Sequence, residues 1–312
     1  MRICADLGGS FIDVAILAAD GTIVQRVKHP TPATDWPAFL RIFADLLARN
    51  GAALDTDYPI SIATAGLIDL DSGVVTSANI ACIHGHALAP EMASALGRPV
   101  TVINDADAFV LAEAGLGTGR GHKRVFGIIL GTGVGGGMVE DGRIVTGPGG
   151  VQGEWGHGPV VTRSPRVPDA TPFFPCGCGR SGCLDTVGGA RGLERLHRFL
   201  HGVDAGSHVI TQNWQAGDPA ATATVQLYCD IVGGALAMLL NTFPATIVPV
   251  SGGLSSSAAL IGELDRHVRV GMLYPPAGAI LVPSALGGEA GLLGAFLAGQ
   301  DSRAARGGVS HP

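Results

Sequence analysis

The sequence is short of charge, and of lysine above all. Only 15% of its 312 residues are charged, the formal net charge is −6, and its two lysines are Lys28 and Lys123. No run of basic residues occurs, which argues against nucleic acid as the main partner. A Walker P-loop is excluded because its lysine directly follows a glycine, and neither lysine here does so. Any nucleotide would have to be held by backbone amides, hydroxyl groups and a metal ion.

Targeting signals are also missing. Met1 is followed at once by the strand-like run RICADLGGS, which has no signal-peptide pattern. The most apolar long segment, residues 225–243, contains Asp230 and two adjacent glycines, so we expect a buried helix rather than a membrane span. Six cysteines in a long chain without a signal indicate a reducing compartment. We therefore expect a cytoplasmic protein with no membrane partner.

Glycine, by contrast, is abundant. It makes up 48 of 312 residues, and hydrophobic residues make up 46%. A chain of this length usually forms two domains. Because no collagen-like repeat accounts for the glycines, many of them are expected where the backbone needs a positive φ or approaches another group closely.

One pattern of strands and turns occurs twice. Residues 3–5 and 11–17 read as strands around a glycine turn at residues 6–10, and an Asp20-Gly21 hairpin turn follows. Residues 125–130, 131–137 and 138–139 repeat this order before an Asp141-Gly142 turn. The repeat predicts two lobes built alike, each with a glycine loop at a strand junction. We expect lobes at 1–118, joined by about 297–312, and at 119–296.

The second glycine loop, GTGVGG at residues 131–136, matches the dinucleotide-binding spacing G-x-G-x-x-G. That motif must open a helix, whereas a hairpin signal follows here, so we reject the dinucleotide-binding fold for this loop; a dinucleotide oxidoreductase stays an alternative that would need a helix after Gly136. A backbone N–H cradle for phosphate remains, against the alternative of a plain turn. Asp6, beside the first loop, is the natural carboxylate for Mg²⁺, with an Asx turn as its alternative role.

Two polar stretches carry candidate chemistry. The dipeptide Asn104-Asp105 by itself favours a helix cap, but a carboxylate at the end of a strand could also accept the proton of an attacking hydroxyl. Glu154 and His157 lie in a glycine-rich loop and could bond the vicinal hydroxyls of a polyol. A structural role is the alternative for His157.

Three thiols occur within eight residues, at Cys176, Cys178 and Cys183. Their spacing, C-x-C-x₄-C, predicts a tetrahedral zinc site with His157 as the nearest fourth ligand. Four protein ligands would make this zinc structural, holding the Glu154 loop from behind. The isolated Cys4, Cys82 and Cys229 are expected to be small buried apolar residues.

Together these motifs resemble the ROK family of sugar kinases, in the actin-like superfamily, over nearly the whole chain. DLGGS at residues 6–10 is similar to the family's first phosphate loop D-x-G-G-T, and GTGVGGG at 131–137 to its second. SGG at 251–253 resembles its adenosine turn, NDA at 104–106 its base segment, and GEWGH at 153–157 its sugar motif. CGCGRSGC at 176–183 resembles its zinc motif C-x-C-G-x-x-G-C.

The resemblance implies an α/β fold of two actin-like (ribonuclease H-like) lobes with an interlobe cleft. It implies Asp105 as general base, zinc on His157, Cys176, Cys178 and Cys183, and ATP with Mg²⁺ on Asp6, Gly8, Gly9, Ser10, Gly131, Thr132, Gly133, Gly252 and Gly253. Sugar contacts are implied for Gly66, Asn79, Asn104, Asp105, Glu154 and His157. The family usually has Glu where this chain has Asp185, so the reach of this expected sugar contact is altered.

Within the family, residues 78–88, residues 126–138 and the insert before Cys176 are most similar to bacterial N-acetylglucosamine kinases. We therefore expect phosphorylation of N-acetyl-D-glucosamine at its 6-hydroxyl. N-acetylmannosamine kinase, glucokinase and fructokinase are alternatives, and a non-catalytic sugar sensor is an alternative of another class. A repressor is not expected, because the chain begins with the first strand rather than a helix-turn-helix. Family members are commonly dimers, so a homodimer is expected.

Overall fold

The chain folds into two α/β units. The structure, a computed structural model, describes residues 1–32, 34–50, 58–77, 79–158 and 171–307, apart from the side chains of residues 149 and 301–307. One unit contains Met1–Gly115, Ile144–Gln152 and Gly288–Pro312, and the other contains Leu116–Arg143 and Gly153–Gly287. The lobe limits expected from the sequence stay a prediction. In this division the chain re-enters the first unit at Gly288.

The strands and helices are numbered along the whole chain. The strands are β1 Arg2–Leu7, β2 Phe11–Leu17, β3 Ile23–Pro30, β4 Ile60–Thr64, β5 Leu67–Ile68, β6 Val75–Thr76, β7 Val100–Asn104, β8 Arg124–Leu130, β9 Val134–Glu140, β10 Arg143–Ile144, β11 Val248–Ser251 and β12 Leu281–Pro283. The helices are α1 Trp36–Arg49, α2 Leu88–Leu96, α3 Asp105–Gly115, α4 Asp185–Gly188, α5 Ala190–His201, α6 Ser207–Gln215, α7 Pro219–Thr242, α8 Ala258–Gly271 and α9 Ala290–Gly307.

The two main sheets have the same topology. Their strand orders are β3-β2-β1-β4-β7 and β10-β9-β8-β11-β12. In each, an antiparallel hairpin provides the central strand, which then pairs in parallel with a strand from later in the chain. This repetition confirms the two similar halves predicted from the duplicated strand and turn pattern, and the class is α/β as predicted.

In the first unit, helices cover both faces of the sheet, so β1 and β4 are buried almost throughout. Ile3, Ala5 and Leu7 point into an apolar core formed with α1 and α2. Arg2 and Asp6 lie on the opposite face of β1 and point toward α9. A Cβ on Gly299 of that helix would contact Arg2, and one on Gly291 would contact the Asp6 carboxylate. Asp6 therefore lies at the start of α9.

In the second unit, α7 is the central helix and packs against α5, α6 and α8. Asp218 caps it, accepting a hydrogen bond from the Ala221 amide at 2.7 Å. Tyr228, fully buried on this helix, donates its hydroxyl proton to the Gly188 carbonyl at 2.7 Å. This bond ties α7 to α4, the short helix beneath the second glycine loop.

By length and composition, α7 could cross a membrane, but 61% of its apolar 18-residue window is buried within the protein. Its apolar side chains face α5, α6 and α8 as members of the second unit's core. The helix thus serves as the core helix expected for this segment.

Two element boundaries differ from the sequence expectation. Asp6 and Leu7 were expected in the first glycine turn, but they belong to β1 and pair with β2. Residues 134–137 were expected to belong to a glycine turn, but β9 begins at Val134 and Gly135–Gly137 pair with β8. Gly136 is required for close approach rather than for turning, because a Cβ there would lie 2.9 Å from both the Gly127 carbonyl oxygen and the Trp155 indole nitrogen. A strand follows the loop, as the rejection of the dinucleotide fold required.

Candidate functional site

The first glycine loop, residues 8–10, joins β1 to β2 in the first unit. The Gly8 amide donates to the Phe11 carbonyl at 2.9 Å, and the Thr31 hydroxyl donates to the Gly8 carbonyl at 2.7 Å. A Cβ on Gly9 would lie 2.8 Å from the Asn79 carbonyl oxygen. Gly8 and Gly9, which are predicted to bind the nucleotide, are thus close to Asn79, which is predicted to bind the sugar. Ser10 is exposed beside them.

Asp6 precedes this loop and lies among other carboxylates. It is directly opposite Asp13 in the β1–β2 register. Burial, together with the charges of Asp105 and Asp13, raises the pKa of Asp6 to about 6, although Lys28 and Arg26 act to lower it. Asp13 binds Lys28 at 3.0 Å and the Arg26 Nε at 2.9 Å. This oxygen-rich cluster is chemically suited to a hard divalent cation such as Mg²⁺.

Asn104 and Asp105 lie at the junction of β7 and α3. The Asn104 Oδ1 accepts from the Ala106 amide at 2.8 Å, which makes it the cap of α3. The Asn104 Nδ2 donates to the Gly66 carbonyl at 2.9 Å. Gly66 has φ +120° and no room for a side chain, because a Cβ would lie 2.6 Å from the Thr76 carbonyl oxygen. Gly66 and Asn104, both predicted to bind the sugar, are thus joined by a hydrogen bond. Asp105 is the first residue of α3.

The second glycine loop, residues 131–133, joins β8 to β9 in the second unit. Its Gly131 carbonyl accepts from the Ala190 amide at 2.7 Å, at the start of α5. Gly252 has φ +90°, and a Cβ on it would lie 2.6 Å from the Gly131 amide nitrogen. The structure thus brings together Gly131 and Gly252, two of the predicted nucleotide residues. Gly253 follows in a 3₁₀ turn.

The loop containing Glu154 and His157 lies along β9. The Trp155 indole donates to the Gly135 carbonyl at 2.9 Å, and the His157 amide donates to the Glu154 carbonyl at 3.0 Å. The Glu154 carboxylate is 3.5 Å from the His157 Nε2. The other ring nitrogen, Nδ1, lies 3.6 Å from the Cys176 sulfur. His157 is therefore placed between a carboxylate and the thiol cluster.

The thiol cluster brings together the four predicted metal ligands, His157, Cys176, Cys178 and Cys183. Their ligand atoms lie within 4.8 Å of one another, and the Cys178 and Cys183 sulfurs are 3.6 Å apart. Tetrahedral bonds of about 2.3 Å to sulfur and about 2.0 Å to nitrogen separate ligand atoms by roughly 3.5–3.8 Å. The donor set and its spacing therefore fit zinc.

The turn around the cluster is held by its own backbone. The Cys176 amide donates to the Arg180 carbonyl at 2.8 Å, and Gly179 adopts φ +84° within the turn. A hydrogen bond from the Arg180 backbone lowers the pKa of the Cys178 thiol to about 6, while burial raises that of Cys176 to about 12. One exposed thiol is thus readily ionised, as metal binding requires.

Asp185 follows the cluster as the first residue of α4. Its Oδ1 accepts from the Val134 amide at 2.8 Å, at the end of the second glycine loop. Its backbone amide donates to the Gly156 carbonyl at 2.9 Å. Its Oδ2 is 3.8 Å from the Cys176 sulfur. A single residue therefore touches the glycine loop, the Glu154–His157 loop and the thiol cluster.

Sequence reasoning missed several residues that position these groups. Thr31 holds the first loop, the Asp13 ion pairs flank Asp6, and Gly291 leaves room for the Asp6 carboxylate. Only the alternation of β2 and β3 could have indicated the ion pairs, and nothing local marks Thr31 or Gly291. Of the stretches that suggested the substrate, Ala78 and residues 159–170 lie outside the described residues.

Comparisons with known proteins show what the whole chain is similar to. The model of the ROK family matches residues 2–301. An N-acetylgalactosamine kinase of Shewanella sp. (strain ANA-3) is 33% identical over 264 residues, 85% of each chain. An N-acetyl-D-glucosamine kinase of Yersinia pseudotuberculosis is 32% identical over 86% of this chain and 88% of its own. The crystal structure of a ROK hexokinase from Thermus thermophilus has a TM-score of 0.81 at 30% identity and covers 97% of this chain and 99% of its own.

Proposed function

The chain belongs to the ROK family, as an ATP-dependent sugar kinase, and we propose that its acceptor is the 6-hydroxyl of N-acetyl-D-glucosamine. The relatives named for N-acetylated hexoses support an acceptor of this class. The observation that carries the proposal of phosphoryl transfer to an alcohol is the position of Asp105, which follows β7 at its carboxyl end, with Asn104 hydrogen-bonded to Gly66.

Asp105 is proposed as the general base. A phosphoryl group moves to an alcohol most readily when the alcohol loses its proton to a nearby base as the bond forms. Asp105 shares its electrostatic environment with Asp6, whose pKa it helps to raise. In this proposal the Asp105 carboxylate accepts the hydroxyl proton as the sugar oxygen bonds to the γ-phosphorus of ATP, and the bond from that phosphorus to the β–γ bridging oxygen breaks to release ADP.

Each unit contributes candidate sugar ligands to the proposal. Those of the first unit are Gly66, Asn79 and Asn104, and those of the second are Glu154 and His157. Asn104 donates one Nδ2 proton to Gly66 and keeps a second donor for a hydroxyl. Glu154 is exposed and can accept from vicinal hydroxyls. Asp185 is not among these ligands, because its carboxylate contacts the glycine loop.

The nucleotide is proposed to bind Gly8, Gly9 and Ser10 in the first unit and Gly131, Thr132, Gly133, Gly252 and Gly253 in the second. With no P-loop lysine, these backbone amides and hydroxyls are the donors for the phosphates. Asp6 would hold Mg²⁺, which would neutralise charge on the phosphates. Its cluster of carboxylates supports that role.

Zinc is proposed to bind His157, Cys176, Cys178 and Cys183 as a structural ion. The Nδ1 of His157 faces the sulfurs and its Nε2 faces Glu154, which is the arrangement in which a carboxylate orients a metal-binding imidazole. The ion would thereby fix the orientation of both His157 and Glu154.

The acceptor is tested by ADP release with a panel of N-acetylglucosamine, N-acetylgalactosamine, N-acetylmannosamine, glucose and fructose. We expect the highest kcat/KM for N-acetylglucosamine. A higher value for another sugar would overturn the choice of acceptor. A protein that binds sugar but releases no ADP with any of them would be a sensor instead.

The base is tested with Asp105→Asn. The variant keeps an Oδ1 acceptor for the Ala106 amide, so the fold should be retained, while kcat should fall about 10²-fold or more because the base is lost. The control Asp45→Asn removes a carboxylate of an exposed ion pair on α1 and should keep normal turnover. Near-normal turnover of Asp105→Asn would remove Asp105 from this role.

The zinc ion is tested by metal analysis of the purified protein. About one zinc per chain is expected, and Cys178→Ser should lose it together with part of the sugar affinity. The matched control Cys82→Ser changes an isolated cysteine and should keep the metal. A metal-free protein with full activity would contradict the zinc proposal.

Three further expectations stay proposals. The chain is proposed to be a cytoplasmic homodimer, with lobes at 1–118 plus about 297–312 and at 119–296. Light scattering after size-exclusion chromatography should give twice the monomer mass of 31.6 kDa, and a monomer would contradict it.

A further inference from the structure

We infer that Asp185 positions the second glycine loop for nucleotide, rather than binding the sugar. The inference rests on the proposed function, because it assigns nucleotide to residues 131–133. The family usually has Glu at this position, and that Glu suggests a sugar contact. The shorter side chain of Asp185 instead contacts the second glycine loop, through the Val134 amide.

The Asp185 carboxylate contacts the second glycine loop directly. The Oδ1 of Asp185 accepts the Val134 amide proton at 2.8 Å, and Val134 is where the loop ends and β9 begins. A carboxylate that accepts a backbone N–H forms a stronger hydrogen bond than a neutral acceptor. This bond holds the C-terminal end of the loop.

The carboxylate and the loop also leave no space between them. A Cβ on Gly133 would collide with the Asp185 Oδ1, and one on Gly189 would lie 2.6 Å from the Gly133 carbonyl oxygen. The Ala190 amide binds the Gly131 carbonyl at the other end of the loop. Residues 185–190 thus support the loop along its whole length.

Asp185 is also connected to the thiol cluster. Asp185 is two residues after Cys183, and its Oδ2 faces the Cys176 sulfur at 3.8 Å. Its amide binds the Gly156 carbonyl within the Glu154–His157 loop. One short helix therefore connects the proposed zinc ligands and sugar loop to the phosphate loop, and the side chain of Asp185 makes the contact to the phosphate loop.

The experiment measures ADP and sugar affinities separately by titration calorimetry, each without the other ligand. Asp185→Ala loses the acceptor for the Val134 amide, so we expect at least a tenfold loss of ADP affinity. Asp185→Asn keeps an Oδ1 acceptor and can turn its amide N–H₂ to the Cys176 sulfur, so it should restore ADP affinity to within about threefold. Sugar affinity and zinc content should stay within about twofold of the wild-type protein in both variants.

A second variant keeps the test valid if Asp185→Ala does not fold. Gly133→Ala pushes the Asp185 carboxylate away from the opposite side and should weaken ADP binding in the same way. Where Asp185→Ala folds, both changes act on one contact, so the double variant should bind ADP no more weakly than the weaker single variant, and additive losses would contradict the shared contact.

The opposite result would be weakened sugar affinity in Asp185→Ala and Asp185→Asn, with ADP affinity unchanged. That pattern would make Asp185 a sugar ligand and overturn the inference, as would loss of zinc in Asp185→Ala. Failure of the proposed function shows differently, since the wild-type protein would then release no ADP with any sugar while these binding titrations would still report on Asp185.

Discussion

Replacing Asp6 by Asn should stabilise the first unit by much more at pH 8 than at pH 4. Asp6 is buried opposite Asp13 and near Asp105, and its pKa is raised from 3.8 to about 6. Because the folded state binds the proton more tightly than the unfolded state, the wild-type protein loses stability as the pH rises from about 4 through 6. Asparagine is neutral throughout and avoids this loss.

The size of the effect follows from the pKa. A pKa of about 6 against an ordinary 3.8 corresponds to about 3 kcal/mol in the free energy of unfolding, at about 1.4 kcal/mol per pH unit. The gain of Asp6→Asn over the wild-type protein should therefore approach about 3 kcal/mol at pH 8 and fall to about 0.5 kcal/mol at pH 4.

The assay is urea unfolding at pH 4, 6 and 8 in the absence of Mg²⁺ and nucleotide. Trp155→Phe and Trp214→Phe in both proteins leave Trp36, which stacks on Phe39 in the first unit, as the single fluorescent tryptophan. A gain that is absent at pH 8, or equal at pH 4 and pH 8, would refute the reasoning.

The matched control for this experiment is Asp20→Asn. Asp20 is exposed, and a hydrogen bond from the Thr22 amide lowers its pKa rather than raising it. Its carboxylate is favoured in the folded state, so this variant should show no gain in stability at pH 8.

Three further predictions concern buried contacts, each measured by chemical or thermal unfolding. Gly294→Ala should destabilise the protein by about 1–3 kcal/mol, because the added Cβ would collide with the Ala108 backbone. The control Gly262→Ala, at a position in α8 with open space around it, should leave the stability unchanged or raise it by up to about 1 kcal/mol. Equal effects of the two substitutions would contradict this prediction. Tyr228→Phe should cost about 1–3 kcal/mol, since the buried Gly188 carbonyl loses its donor at 2.7 Å, and an unchanged midpoint would show that this bond contributes nothing. Asp265→Ala should cost about 2–4 kcal/mol, because the Ile280 and Leu281 amides both lose one acceptor, and Asp265→Asn should recover much of that loss; a variant as stable as the wild-type protein would count against the account.

Local patterns predicted the elements around the glycine loops well. Asp35 caps α1, and its side chain accepts from the Ala38 amide. The Asp20-Gly21 and Asp141-Gly142 turns join strands as expected. These features depend on residues within a few positions of one another, so the sequence contains the information needed to predict them.

The glycines of β9 show where local reading fails. Gly135–Gly137 look like turn residues, yet they are extended and pair with β8. Glycine is required at position 136 because a Cβ there would lie 2.9 Å from both the Gly127 carbonyl oxygen of the paired strand and the indole nitrogen of Trp155, which is 19 residues further along the chain. A local pattern does not reveal a contact that the folded chain creates.

The sequence by itself determined the α/β class, the repeated strand and turn order and the residues of the proposed zinc cluster, because each depends on short-range spacing and on residue chemistry. Only the tertiary structure decided that Asp13 lies opposite Asp6 and raises its pKa, and that the Asp185 carboxylate binds the Val134 amide. Burial and distance determine how strongly charged groups interact and how far their pKa values shift. Both are properties of the folded chain rather than of the order of its residues.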